Sequence, residues 1–223
     1  MRTAVLIDGG HLRVKSRQAG LHYSNDLIER VAHACVADDE SLFRVLYYDC
    51  APYDGTVQLP VSGEDKVYTA SDSWMRELAA RELFAIRRGV LKFRGFKPRR
   101  IPVQHRELTD ADFEPDFEQK GVDMRIGLDM ATFSERGSVD RVTLITADTD
   151  CVPAMKHARI AGLQVRLIAF PGATPPAELR WHADFVTELT WPDKLETMTE
   201  MRGRRAKAAP REVAARAPRA AKT

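Results

Sequence analysis

Aspartates follow three short apolar runs of this sequence, at positions where carboxylates could do chemistry. They are Asp8 after residues 3–7, Asp49 after residues 42–48, and Asp148 after residues 142–147. Continuously apolar runs of this length are typical of strands that are buried on both faces of a parallel sheet. Ligands of open α/β sheets bind outside the carboxyl ends of the strands, so we expect these side chains to gather at one sheet edge.

Two further aspartates extend the set. Asp150 lies two residues past Asp148, and Asp123 lies near the start of a predicted helix, where the helix dipole stabilises a carboxylate. Clustered carboxylates repel one another unless a cation or a proton compensates. Mg²⁺ and Mn²⁺ prefer hard oxygen ligands, and such an ion can activate water for attack on a phosphodiester. The pattern therefore predicts a metal-dependent hydrolytic site.

Each aspartate taken singly has a structural alternative, because Asp after a strand is often a helix cap or a turn former. Asp129 lies six residues after Asp123, a poor match for one helical face, although it could still lean toward the cluster. Zinc-like His/Cys spacing, a GxSxG elbow, a Walker P-loop and the GxGxxG spacing are all absent from the sequence. An Asp-x-Asp phosphatase is disfavoured because Gly10 stands where its second acid should be.

The elements that must position these residues alternate between strand and helix patterns. This alternation predicts an α/β fold with a mainly parallel sheet and right-handed crossovers. Further strands are predicted at residues 90–96, 164–170 and 184–189, with residues 100–106 as a partner for 90–96. Helices are predicted over 27–37 with Asn25 as cap, from residue 71 or 72 to Gly89, over 122–135, over 152–161 and near 176–182. Residues 51–70 are predicted to form a long loop.

Charge is segregated along the chain, although the formal net charge is only +2. Residues 87–106 contain eight Lys/Arg and no acid, whereas residues 107–123 contain seven acids and one lysine. Residues 202–223 carry eight Lys/Arg and one acid, and their composition predicts disorder. A basic surface is what a carboxylate site needs to attract a polyanion. The predicted nucleic-acid contacts are Arg87, Arg88, Lys92, Arg94, Lys97, Arg99 and Arg100. Phe93 and Phe96 could stack on bases, or could serve as core.

The length of 223 residues suits one domain with an extension. We predict a domain over residues 1–192 and a basic tail over 193–223. Three scattered cysteines indicate a reducing compartment, and neither a secretory signal nor a membrane-spanning stretch is visible. These observations predict a cytoplasmic protein with no membrane partner, and they leave open whether it forms a homo-oligomer.

Three motifs resemble the NYN domain family, a branch of the PIN-like nucleases. They are VLIDGGHL at 5–12, KGVDMRIGLDMATFS at 120–134 and LITADTDCVPAMKHARIAGLQV at 144–165. The order and spacing fit over residues 3–170. The resemblance implies a PIN-like Rossmannoid, three-layer α/β/α fold and cleavage of RNA with Mg²⁺ or Mn²⁺.

The resemblance also implies roles for individual residues. Asp8 matches the acid after the first strand, Asp123 the acid of the Lys-Gly-x-Asp motif, and Asp148 and Asp150 the two acids of the Ser-Gly-Asp-Ser-Asp-like motif. These four are the expected catalytic residues, and the expected metal ligands are Asp8, Asp49, Asp123 and Asp148.

Supporting roles are implied for the small hydroxyl residues Thr146 and Thr149, which could orient the carboxylates. Two residues depart from the family pattern. His11 replaces the usual Asn, and it is either a hydrogen-bond donor to phosphate or a loop residue. Ala147 replaces a glycine, which requires a backbone that alanine can adopt. These departures leave room for a non-catalytic module that binds RNA or protein on the same fold.

Overall fold

The computed structural model describes residues 1–103 and 107–201. Arg106 and the predicted disordered segment 202–223 lie outside the described residues. The strands are β1 (Arg2–Asp8), β2 (Ser41–Cys50), β3 (Gly55–Gln58), β4 (Asp65–Tyr68), β5 (Phe84–Pro98), β6 (Phe113–Lys120), β7 (Arg141–Ile145), β8 (Gln164–Ala169) and β9 (Phe185–Glu188). The helices are α1 (Gly9–Gln18), α2 (Asn25–Ala34), α3 (Ser73–Ala79), α4 (Val122–Arg136), α5 (Val152–Ile160) and α6 (Ala177–Trp181).

Seven strands form the central sheet in the order β6-β5-β2-β1-β7-β8-β9. Every neighbouring pair is parallel except β5 and β6, which are antiparallel. The prediction of an α/β fold with a mainly parallel sheet is therefore confirmed. Parallel pairing places the carboxyl ends of β1, β2 and β7 at one edge, where Asp8 is the last residue of its strand.

Apolar side chains of β1 point alternately into two hydrophobic cores, one on each face of the sheet. Ala4 and Leu6 belong to one core, whereas Val5 and Ile7 belong to the other, and all four are fully buried. This double burial explains why the strand is continuously apolar. Packing on both faces thus fixes the central strands, and with them the backbone positions of the residues at their carboxyl ends.

Two segments differ from the sequence prediction around residues 51–89. The predicted loop at 51–70 contains the antiparallel hairpin β3–β4. The helix predicted to reach Gly89 ends at Ala79, and Leu83 follows with a φ of 63°, in the left-handed region. A left-handed residue cannot continue a helix, and from Phe84 the chain pairs with β2 instead.

Two smaller predictions are also corrected. The partner of residues 90–96 is β6; of the predicted partner 100–106, residues 100–103 form no strand and residues 104–106 lie outside the described residues. The cap of α2 is Ser24, whose side chain accepts from the N–H of Leu27 at 3.2 Å, whereas Asn25 is the first helical residue. The other predicted helices, and the strands at 164–170 and 184–189, appear near their expected positions.

A buried ionic group lies at the opposite, amino-terminal end of the sheet. The side chain of Glu40 is fully buried between Arg141 and Arg166, which are each 11% exposed. Thr3 Oγ1 also donates to Glu40 Oε2 at 3.0 Å, and the N–H of Ala37 donates to the same oxygen at 3.3 Å. The carboxylate therefore ties β1, β7 and β8 to the start of β2.

The chain stays against the body beyond residue 192. Leu195 packs on the core, and the N–H of Met198 donates to the carbonyl of Gly20 at 2.9 Å. None of the helices in the described ranges is long and apolar enough to cross a bilayer.

Candidate metal centre

Three carboxylates meet at the carboxyl edge of the sheet. Asp123, Asp148 and Asp150 each place an oxygen so that all three oxygens lie within 4.8 Å of one another. Asp123 lies in the first turn of α4, after Gly121 with a φ of 76°. Asp148 and Asp150 lie in the turn between β7 and α5, where Asp148 Oδ1 accepts from the N–H of Asp150 at 2.9 Å. We call these residues the acidic trio.

Asp8 lies beside the acidic trio and is fixed by hydrogen bonds. Its Oδ1 accepts from the N–H of His11 at 3.1 Å, which caps α1, and its Oδ2 accepts from Thr146 Oγ1 at 3.2 Å. Thr146 Oγ1 in turn accepts from the N–H of Asp148 at 3.1 Å. The hydroxyl of Thr146 thus connects the ends of β1 and β7.

Burial and neighbouring carboxylates disfavour the charged forms of Asp123 and Asp8. Burial raises the pKa of Asp123, and the facing carboxylate of Asp148 raises it further. Burial also raises the pKa of Asp8, against the hydrogen bonds from His11 and Thr146. A divalent cation would remove this repulsion, and carboxylate oxygens are the ligands that Mg²⁺ and Mn²⁺ prefer. The residues present therefore fit such an ion.

The residues of the third motif have ordinary backbone geometry. Among the described residues other than glycine, only Leu83 and Lys194 have a positive φ, so Ala147 is unstrained. Thr149 begins a single 3₁₀ turn that leads into α5. The change from glycine to alanine in this motif is therefore compatible with its fold.

Asp49 lies outside the acidic trio and has its own partners. Its side chain is 2% exposed and pairs with Arg13, while Tyr47 Oη donates to Asp49 Oδ2 at 2.9 Å. The N–H of Cys50 donates to Asp49 Oδ1 at 2.8 Å. Burial alone would lower the pKa of Arg13, but Asp49, together with Tyr23 and Tyr47, raises it above its ordinary value. The structure thus places Asp49 in an ion pair, not among the three acids.

Sequence reasoning missed Arg13, Tyr23 and Tyr47, which build this network. The hydroxyls of Tyr23 and Tyr47 lie 2.6 Å apart, and the guanidinium of Arg13 lies over the Tyr23 ring at 5.1 Å from its centroid. Their positions in the sequence carry no motif. Arg13 follows Asp8 by five residues in α1, and this spacing alone does not indicate a pair with Asp49.

Any side chain at position 9 is predicted to lower stability, because a Cβ on Gly9 would overlap the Tyr47 hydroxyl and lie 2.9 Å from Asp49 Oδ2. Forcing a methyl group into a packed interior costs about 1–3 kcal/mol. We expect Gly9→Ala to lower the free energy of unfolding in urea by that amount. Gly10→Ala is the matched control, since its nearest contact would be Asp8 Oδ1 at 3.3 Å. Equal stability of both variants would contradict the prediction.

His11 lies in the first turn of α1, not in a loop, and it is half-buried beside a small recess that Phe170 also lines. Its ring meets that of Phe170 edge-on at a centroid distance of 5.5 Å. Burial, helped by the charge of Lys15, lowers the pKa of His11 to about 4. The imidazole is therefore neutral near pH 7, so any hydrogen bond that it gives to phosphate would be that of a neutral ring.

Most of the predicted basic contacts have acidic partners in the structure. Arg87 pairs with Asp129, which also accepts from the Tyr48 hydroxyl, and Arg88 pairs with Asp72. Across the antiparallel strands β5 and β6, Arg94 pairs with Glu118, Lys97 with Glu114 and Asp116, and Arg99 with Glu114. Lys92 and Arg100 have no ion pair within the described residues. The basic and acidic blocks of the sequence thus face each other.

The aromatic residues of β5 pack together. Phe93 contacts Phe96, Phe117 and Tyr53 at centroid distances of 5.2 to 5.9 Å. Tyr68 of the β3–β4 hairpin joins the same group through Tyr53. This packing accounts for Phe93 and Phe96, and it holds the hairpin on the sheet.

Comparison with known proteins gives one family and one structure. The chain is similar over 85% of its length to the crystal structure of a protein of unknown function from Vibrio parahaemolyticus, of which 93% is covered. The sequence identity is 17% and the TM-score 0.48. No curated protein matches the sequence.

A family model describes most of the chain. The model of the NYN domain, a family of the PIN-like nuclease type, matches residues 2–190. This range includes β1 to β9, the acidic trio and Asp8. The chain therefore belongs to the NYN domain family.

Proposed function

We propose that this protein is a ribonuclease that hydrolyses phosphodiester bonds with Mg²⁺ or Mn²⁺ held at the acidic trio. The observation that carries the proposal is the approach of three carboxylate oxygens to within 4.8 Å, beside Asp8. Carboxylates that repel one another at a sheet edge are stabilised in their charged forms by a compensating cation. Membership of a nuclease-type family makes nucleic acid the fitting substrate.

The residues divide the work in this proposal. Asp8, Asp123 and Asp148 hold the ion, and Asp150 adds a ligand or positions water. When bound, the ion would neutralise phosphate charge and lower the pKa of a water molecule. Thr146 keeps Asp8 aimed at the ion through its 3.2 Å hydrogen bond, and Thr149 shapes the turn that presents Asp148 and Asp150. Asp49 acts through its ion pair with Arg13, which positions α1 against β2.

The basic side chains of β5 supply a route for the polyanion. Arg94, Lys97 and Arg99 are 52%, 54% and 57% exposed, so their ion pairs lie on the surface. Exposed ion pairs contribute about 0–1 kcal/mol each, and phosphates can therefore replace the acidic partners at little cost. Lys92 and Arg100 add charge that no described acid neutralises. We propose that this strand guides RNA toward the sheet edge.

A direct assay tests the proposal. The full chain is incubated with labelled single-stranded RNA and with DNA of the same sequence, with Mn²⁺ or with EDTA. We expect RNA cleavage that depends on the metal, because the trio alone carries uncompensated negative charge.

Metal binding is measured separately by calorimetry. Metal binding without any cleavage would replace the proposed function with the non-catalytic RNA- or protein-binding module on this fold. The absence of both would overturn the metal centre itself.

The three cysteines are buried and free, which fits the proposed cytoplasmic location.

A further inference from the structure

A cavity of about 740 Å³ opens near the carboxyl end of β2, between α2, α3 and the end of β6. Its size is within the range of small-molecule sites. Trp74, Leu91, Pro52 and Ile28 give it an apolar lining. The polar side chains that line it include Asn25, Glu77 and Gln119. None of these residues takes part in the acidic trio.

The cavity adjoins the metal centre. Gln119 lines the cavity, and its Oε1 would lie 3.7 Å from a Cβ on Gly10, while Asp8 Oδ1 would lie 3.3 Å from the same point. The mouth of the cavity at Gln119 therefore lies beside Asp8, which is linked through Thr146 to the turn that carries Asp148.

The charges of the cavity disfavour phosphate as its occupant. The two arginines in the lining are already paired, Arg13 with Asp49 and Arg81 with Glu29. Asp26 is paired with Arg30 at 3.0 Å. Glu77 has no ion pair in the described part of the chain, so the lining is left with an acidic excess. The group that fits is uncharged, with a flat apolar face and hydrogen-bond donors at its rim.

An aromatic ring and two hydrogen-bond acceptors in the cavity match such a flat, uncharged group. Trp74 is partly exposed and is held edge-on against Tyr47 at a centroid distance of 6.0 Å. Asn25 Nδ2 donates to the carbonyl of Trp74 at 2.9 Å, so the amide oxygen remains to accept. Glu77 adds a carboxylate acceptor on the next turn of α3. Bases stack on aromatic rings, and exocyclic amino groups donate to such acceptors.

We propose that this cavity binds one unpaired nucleobase of the RNA, next to the phosphate at the acidic trio, and favours bases with an exocyclic amino group over uracil. Trp74 stacks on the base, and Glu77 and Asn25 accept from its amino group. This inference rests on the proposed function, since it assumes that nucleic acid is the substrate. It adds a recognition site that is separate from the metal ligands.

Binding is tested without cleavage, in the full chain carrying Asp148→Asn and in EDTA. The probes are fluorescently labelled tetramers of A, C and U ribonucleotides, followed by anisotropy. We expect the A and C tetramers to bind at least about fivefold more tightly than the U tetramer. Adding Trp74→Ala should weaken binding of the A and C tetramers by about fivefold or more, the usual loss for one stacked base. Adding Glu77→Gln should reduce the preference over U.

Matched controls change the same residue types elsewhere. Trp181→Ala removes a tryptophan that is 71% exposed on α6, and Glu135→Gln removes an exposed carboxylate near the end of α4. Both should leave the preference unchanged. Glu77 is exposed, so Glu77→Gln is informative even if Trp74→Ala unfolds α3. Equal affinity for all three tetramers, or a preference unchanged by Glu77→Gln, would overturn the proposal.

Failure of the two proposals can be told apart. Metal-dependent cleavage by the parent chain, with no effect of Trp74→Ala or Glu77→Gln on binding, would overturn the proposed base site and leave the proposed nuclease function standing. Base-selective binding with no cleavage by the parent chain would overturn the proposed nuclease function and leave the proposed base site standing. The absence of both would overturn both proposals.

Discussion

Asp148→Asn should reduce RNA cleavage by at least about a hundredfold while leaving the fold intact. Asparagine keeps the shape of the side chain and can still accept from the N–H of Asp150, so the turn after β7 is preserved. It removes the negative charge that faces Asp123. Loss of even the outer partners of metal ligands typically costs about 10–100-fold, and loss of a direct ligand should cost more.

The measurement is the initial rate of RNA cleavage in Mn²⁺, with a thermal melt of each variant. Asp38→Asn is the matched control, because Asp38 is exposed and lies just before β2, at the other end of the sheet. A folded Asp148→Asn variant that cleaves as fast as the control would contradict the assignment of the acidic trio as the active centre.

Glu40→Gln should lower the free energy of unfolding by about 3–5 kcal/mol at neutral pH. The fully buried Glu40 side chain is the shared partner of Arg141 and Arg166, and breaking a buried ion pair by removing one partner costs about that much. Gln164 still accepts from Arg141 at 3.0 Å, but it carries no charge. The two arginines would therefore be left buried without a carboxylate.

The effect should depend on pH in a defined direction. Burial alone would raise the pKa of Glu40, but the hydrogen bond and charge of Arg166, with the donors Ala37 and Thr3, hold it below its ordinary value of 4.5. The stabilisation is therefore fully present above pH 4.5 and is lost as the pH falls through the lowered pKa. Urea unfolding at pH 7 and at pH 3 should show a smaller difference between the parent and Glu40→Gln at pH 3.

Glu82→Gln serves as the control, because Glu82 is exposed and precedes β5. It should leave stability unchanged at both pH values. A Glu40→Gln loss below about 1 kcal/mol at pH 7, or one of the same size at pH 3, would show that the buried carboxylate does not act as described.

Part of the candidate site was predictable from carboxylates that follow apolar runs. Asp8 and Asp148 come from apolar runs, and parallel pairing alone brings such ends to one edge. Asp123 lies near them because α4 begins there, which the Lys-Gly-x-Asp resemblance indicated. Asp49 follows the same pattern, but in the structure it is paired with Arg13. An ion pair between two elements leaves no periodic signal in the sequence.

The segment from residue 71 to 120 was less predictable, because local and long-range preferences disagree there. Residues 73–84 carry apolar side chains at helical spacing, yet Phe84 is buried in β5 beside β2. Tertiary pairing thus overrides the local pattern. The true partner of residues 90–96 had a visible signal, since the alternating acids of 114–118 complement the alternating basic residues of β5. Apolar periodicity alone does not detect such complementarity.

The hydrogen bond between Thr146 and Asp8 spans 138 residues of the chain. The carboxylate at the end of β1 therefore acquires this hydrogen bond only after β7 has been synthesised and has docked beside β1. No shorter fragment that begins at the first residue and stops before residue 148 can contain the trio. A nascent or truncated chain of that length therefore lacks the complete acidic trio, and a cut between α4 and β7 would place Asp123 on one fragment and Asp148 and Asp150 on the other.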